Sequence, residues 1–154
     1  MATFFGDTSA LVKRYVSETG SAWLTATIHP NLGQRIYIAQ ITIVEIVSAI
    51  TRREKSGSTT PQEALNALNQ FEQDWKTEIT IVDLSANLVD NAVALAKKYA
   101  LRGYDAVQLA TVLEVHNERM ALGLSPLTLL SADNDLNAAA MAEGLTVDNP
   151  NNHP

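Results

Sequence analysis

Short apolar runs, rich in β-branched and aromatic residues, alternate along this chain with longer stretches of helical periodicity. Thr3-Phe4-Phe5-Gly6, Arg35 to Ala39, Glu78 to Leu84, Leu127 to Ser131 and Leu145 to Val147 read as five strands. Each of the first four is followed by at least one segment with apolar residues at helical spacing. Strands that alternate with helices, and are apolar on both sides, predict a parallel sheet covered on both faces. The fold expected is a single-domain three-layer α/β/α sandwich with about five parallel strands. It spans residues 1–148 and is followed by a polar tail, 149–154, expected to be frayed.

Helix boundaries follow from breakers and caps. Asp7 ends the first strand, and a helix begins near Thr8 or Ser9, running to about Glu18 to Gly20. Ser21 reads as the cap of a second helix, ending near Ile28. Thr42 reads as the cap of a third, with Glu45 completing a capping box and Ile41 and Val44 packing on the sheet. Thr60-Pro61 with Glu63 signals a fourth, whose stripe is Leu65, Leu68, Phe71 and Trp75. Ser85 opens a fifth. The Arg102-Gly103 break opens a sixth at Tyr104-Asp105, and Asp133 starts a seventh that stops before Gly144.

Four of the acids fall at these junctions. Asp7 and Asp133 lie just past strands, and in a parallel sheet the strand ends share one edge, where open α/β folds bind ligands. Glu45 and Asp105 lie near helix starts. Each acid taken alone is explained as a helix cap, because carboxylates gain there from the dipole and from free amide groups. As a group they repel and lose hydration, and would take up protons unless a cation sat among them. With no cysteine and three scattered histidines, such a site would be built of oxygen, which favours Mg2+ or Mn2+. An ion there lowers the pKa of water and stabilises charge on a phosphate. Thr8, Ser9 and Ser131 are either supporting hydroxyls or ordinary helix-start residues. Asp135 points about half a turn away from Asp133 and is a weaker candidate. Arg102, Lys13 and Arg14 are candidate contacts to a phosphate backbone.

The net charge of −6 (17 acids, 11 bases) works against simple electrostatic binding of nucleic acid, although bound divalent ions offset part of it. No apolar run reaches membrane-spanning length, and the N-terminus does not read as a signal peptide. Absence of cysteine suits a reducing cytoplasm.

Four segments together resemble the PIN domain family, within it the VapC toxins: Asp7-Thr8-Ser9-Ala10-Leu11, Thr42-Ile43-Val44-Glu45-Ile46, Tyr104-Asp105-Ala106-Val107-Gln108-Leu109-Ala110, and Ser131-Ala132-Asp133-Asn134-Asp135. The resemblance implies an Mg2+- or Mn2+-dependent endoribonuclease with Asp7, Glu45, Asp105 and Asp133 as metal ligands and catalytic acids. It also implies an RNA substrate, a homodimer and a small inhibitory antitoxin. Ser131 stands where that family commonly has threonine, and Leu136 where it commonly has an aromatic residue. The rival reading is a catalytically idle PIN-like module that binds protein or RNA. An aspartate-nucleophile phosphatase would need a second aspartate at the position of Ser9. A phosphoacceptor receiver domain could use Asp83 but would need a lysine near its last strand, and none follows Lys98.

Overall fold

The first strand, β1 (Thr3–Gly6), lies at the centre of the sheet because both of its edges are paired. On one side it pairs with β2 (Arg35–Ala39), which pairs in turn with β3 (Ile79–Val82). On the other side it pairs with β4 (Thr128–Leu130), and β4 with β5 (Thr146–Asp148). All four pairings are parallel, in the order β3-β2-β1-β4-β5. This computed structural model describes residues 1–154, the side chain of Pro30 excepted.

Two helical layers cover the sheet. One comprises α1 (Thr8–Leu11), α2 (Ser21–Thr27), α3 (Gln40–Ser56) and α4 (Pro61–Thr77). The other comprises α5 (Ala86–Tyr99), α6 (Gly103–Ala121) and α7 (Asn134–Ala142). Each strand divides its side chains between the two cores, as a period of two requires. Ile36, Ile38 and Leu130 join Ile46, Ile50 and Phe71 on the first face; Phe5, Ala39 and Leu129 join Leu88, Leu109 and Leu136 on the second. Among the described residues, no helix is long and apolar enough to cross a membrane.

Local detail departs from the sequence reading in five places, each with a physical cause. The first helix is one α-turn that tightens into a 3-10 turn over Val12–Arg14, so it stops at Tyr15 rather than near Glu18. Gly20, at φ 85°, caps α2, while the Ser21 hydroxyl accepts from the Glu18 amide (2.9 Å) and donates to the Val16 carbonyl (3.1 Å). Ser21 therefore braces a turn instead of capping. The third helix starts at Gln40 with Ala39 as its cap. Thr42 is thus inside the helix, and Glu45 lies in its second turn, not in a capping box. The stripe that faces inward is Thr42, Ile46 and Ile50, while Val44 is 71% exposed. In α4 Phe71 is buried and Leu68 and Trp75 pack partly buried against the core, as the apolar pattern implies, but Ala64, Ala67 and Asp74 complete the buried stripe, and Leu65 faces solvent. Asp74 can be buried because the Arg14 guanidinium (3.1 Å), the Tyr15 hydroxyl (2.7 Å) and the Gln70 amide (2.8 Å) all donate to it.

The tail is the fifth departure. Pro150–Asn152 forms a 3-10 turn, Pro150 is buried, and the His153 ring stacks on Trp23 with centroids 4.0 Å apart. His153 Nε2 also meets Asp148 Oδ1 at 2.8 Å. The tail is docked on α2 rather than frayed. A Cβ added at Gly20 would run into the Pro150 carbonyl, and its backbone is left-handed as well. Gly20→Ala should therefore cost about 1–3 kcal/mol in urea unfolding and shift Trp23 fluorescence to the red as the tail lifts. An unchanged midpoint and spectrum would show that the tail adds nothing to stability.

Candidate active site

In a sheet of this order, the direction in which successive strands are added reverses between β1 and β4. The loops that leave their carboxyl ends diverge to opposite layers and open a crevice there. Both strands deliver a carboxylate to it. Asp7 follows β1, caps α1 and is 4% exposed. Asp133 follows β4, caps α7 and is half-buried. The Asp7 amide extends the β1–β4 ladder by donating to the Leu130 carbonyl at 3.0 Å, so its backbone is fixed by the sheet.

Hydroxyls join the two loops. Ser9 Oγ donates to Asp7 Oδ2 at 2.5 Å and accepts from the Ala132 amide at 2.9 Å. Ser131 Oγ accepts from the Asp133 amide at 3.2 Å and lies 3.5 Å from Asp7 Oδ2. Each serine bonds to the loop ends that carry Asp7 and Asp133. Thr8 Oγ1 donates to Glu45 Oε1 at 2.9 Å, bringing α1 and α3 together across the crevice. Asp105, in the first turn of α6, is half-buried on the same rim.

The charges of these acids act on Asp7 and Asp105. Burial pushes Asp7 up to about 6, against the two hydrogen bonds from Ser9, and the charges of Glu45 and Asp105 push it further up. Asp105 is also raised, first by burial and then by the charge of Asp133; Arg102 opposes this, while Glu45 and Asp135 add to it. Each of the four thus feels at least one of the others. They do not converge on a point: among the described residues, no three acids or histidines stand close enough to hold one ion.

All donors to Asp7 land on Oδ2, both donors to Glu45 land on Oε1, and the amide that Asp133 caps reaches Oδ1. The second oxygen of each has no protein donor among the described residues, and Asp105 has none on either. Carboxylate oxygens held on one side and open on the other suit a hard divalent cation.

Other candidates fall differently. Asp135 is exposed and contributes only charge. Lys13 is buried against Glu18 at 3.0 Å, and Arg14 is committed to Asp74 and the Ile28 carbonyl. These internal pairs take both residues away from the role of phosphate contact. Arg102 is exposed at the cap of α6, three residues before Asp105. Two buried amides went unnoticed in the sequence. Asn137 holds the Ser131 carbonyl at 2.9 Å, and Gln108 reaches Thr42, Glu45 and Thr8. Their signal was a polar residue one turn after a candidate acid, on an otherwise apolar helix face.

A parallel α/β sandwich that carries Asp7 and Asp133 to its switch point is an α/β domain with acids at the carboxyl edge of its sheet. Comparison with known proteins narrows this. The PIN domain model matches residues 4–141, so the chain belongs to the PIN domain family. Ribonuclease VapC45 and Ribonuclease VapC49, both from Mycobacterium tuberculosis, are each 29% identical to it over 147 residues, which is 96% of this chain and 95% of theirs. Among solved structures, a toxin–antitoxin complex from Klebsiella pneumoniae aligns with TM-score 0.63 at 19% identity, covering 97% of this chain and 98% of that one. Mycobacterium tuberculosis VapC20, described as a sarcin–ricin loop cleaving toxin, aligns with TM-score 0.61 at 17% identity over 88% and 94%. At such identities the structural matches speak for the fold.

The raised Asp7 has a consequence for stability. Its carboxyl is neutral in both folded and unfolded chains below pH 3.8, and there it costs nothing. As pH rises through about 6 the native state must ionise it against burial, and that stability is lost. Without divalent ions, Asp7→Asn should gain on the parent protein by about 3 kcal/mol between pH 4 and pH 7.5, read from urea melts in a chelator. A difference that does not change with pH would contradict the raised carboxyl.

Proposed function

We propose that the protein is a VapC-type toxin, an endoribonuclease that needs Mg2+ or Mn2+ and cuts RNA at the crevice between β1 and β4. The observation that carries this reading is the set of four coupled carboxylates, three of them tied on one oxygen and open on the other. Family membership and the names of the two Mycobacterium tuberculosis relatives support it.

In this reading Asp7, Glu45, Asp105 and Asp133 hold the ion. Their mutual repulsion keeps them apart until a cation offsets it. When bound, the ion lowers the pKa of water and neutralises charge on the phosphate. The chain's own groups do the rest. Ser9 and Ser131 fix the Asp7 carboxylate, and Thr8 fixes that of Glu45. Whichever carboxylate oxygen remains outside the ion's reach accepts the proton from the attacking water. Arg102, exposed beside Asp105, suits a phosphate oxygen of the RNA backbone. The net charge of −6 means that the substrate must be attracted locally, by the cation and by Arg102, rather than by the molecule as a whole.

The biological setting in this proposal is a cytoplasmic toxin–antitoxin pair. A small antitoxin blocks the crevice, and the toxin acts as a homodimer. Structural neighbours that are toxin–antitoxin complexes support the partner, among them the Klebsiella pneumoniae assembly.

Purified protein incubated with tRNA or rRNA and Mn2+ should cleave it, and a chelator should stop the cleavage. Asp7→Asn should lower the rate by about 100-fold or more. Equal cleavage by parent and variant would point to a contaminating nuclease. Absence of cleavage by the parent would favour an idle PIN module that acts through binding.

A further inference from the structure

Gln108 lies on α6, three residues after Asp105, and is 1% exposed. Its neighbours on that helix are the buried apolar residues Ala106, Leu109 and Ala110. A leucine or methionine would suit such surroundings, so a buried carboxamide there calls for a cause.

The cause is visible in its bonds. Gln108 Nε2 donates to Thr42 Oγ1 at 2.8 Å and to Glu45 Oε1 at 3.2 Å, and lies 3.4 Å from Thr8 Oγ1. One amide nitrogen thus reaches α1, α3 and the Glu45 carboxylate together. The other end of the amide, Oε1, is buried and has no protein donor. Turning the amide over would set its carbonyl against Glu45 Oε1, one acceptor facing another. The carboxylate therefore dictates the orientation, and the orphaned carbonyl is accepted as a consequence. A residue serving only to bridge helices would find no advantage in leaving half its polar group unmatched.

We propose that Gln108 is a positioning residue for the reaction: with Thr8, it ties Glu45 Oε1 and turns Oε2 toward the crevice. Thr8 donates to the same oxygen at 2.9 Å. Two donors on one oxygen hold Oε1 in place and leave Oε2 as the oxygen without a protein donor. Glu45 is the acid that most needs this, because it stands in the second turn of α3 on a longer side chain than the aspartates, and no backbone amide among the described residues holds it. Asp7 and Asp133 are each held by an amide of the helix they cap. Gln108 and Thr8 supply to Glu45 what cap geometry supplies to those two.

This inference rests on the ribonuclease reading above, and the experiment separates the two. Gln108→Met keeps volume and removes the donor. Two readouts are needed: cleavage of purified tRNA in Mn2+, and Mn2+ affinity by titration followed by electron paramagnetic resonance. The expected result is a kcat lower by about 10- to 100-fold and a weakened Mn2+ affinity, with KM for tRNA within about twofold. The thermal midpoint should be unchanged or raised, because the orphaned carbonyl is gone. Thr8→Val should give the same pattern, and the double variant should lose less than the product of the two single losses. Full kcat and full Mn2+ affinity in Gln108→Met would overturn the proposal. So would a loss of activity that merely follows a fall in the thermal midpoint, since that marks a structural bridge. A parent protein that neither binds Mn2+ nor cuts tRNA would instead remove the ribonuclease reading itself.

Discussion

Burying a carboxylate is costly unless something answers its charge, and this fold buries Asp7 at the centre of its sheet. β1 is the middle strand of the five and Asp7 follows it directly, so Asp7 has little solvent to turn to. Glu45 and Asp105 then add charge of the same sign. Hydrogen bonds from Ser9 recover only part of the cost. A protein selected for stability alone would place a serine or asparagine cap here, since a cap needs an acceptor and not a charge. Desolvated acids of this kind commonly occur at functional sites, where stability is given up for binding.

The two-faced sheet is what makes the arrangement rigid. Phe5 and Leu129 on one face, and Ile38 and Leu130 on the other, fix β1, β2 and β4 in register, so the loops after β1 and β4 start from a set separation. Serine hydroxyls then bridge loop to loop, Ser9 to Ala132 and Ser131 to Asp7. The helical layers contribute from either side: α3 brings Glu45 and α6 brings Asp105. The crevice thus draws one acid from each of four chain segments, and any shift of a layer would disperse them.

PIN domain membership and this geometry reinforce each other without being the same argument. The family follows from a match over residues 4–141. The acidic crevice follows from strand order, capping and charge coupling within this one chain. The strand ends that deliver Asp7 and Asp133 can be traced from the β1–β4 register alone.

By itself the sequence determined the alternation of strands and helices, the parallel sheet, and the placing of Asp7 and Asp133 at strand ends. These follow from local period, breakers and caps, which act over a few residues. It misjudged α3, because nothing local separates strand from helix at Ala39-Gln40. That error put Glu45 in a capping box when it stands in the second turn. The start of the α4 stripe was hidden for a similar reason: Ala64 and Ala67 are buried where Leu65 is not, because close approach to α3 favours small residues. Tertiary structure alone decided that Lys13 and Arg14 face Glu18 and Asp74, and that His153 stacks on Trp23. It alone brought Gln108 to Glu45 across 63 positions of chain. Apart from Lys13 with Glu18, these pairings join residues far apart in sequence, and only the packing of layers on a shared sheet brings them within reach.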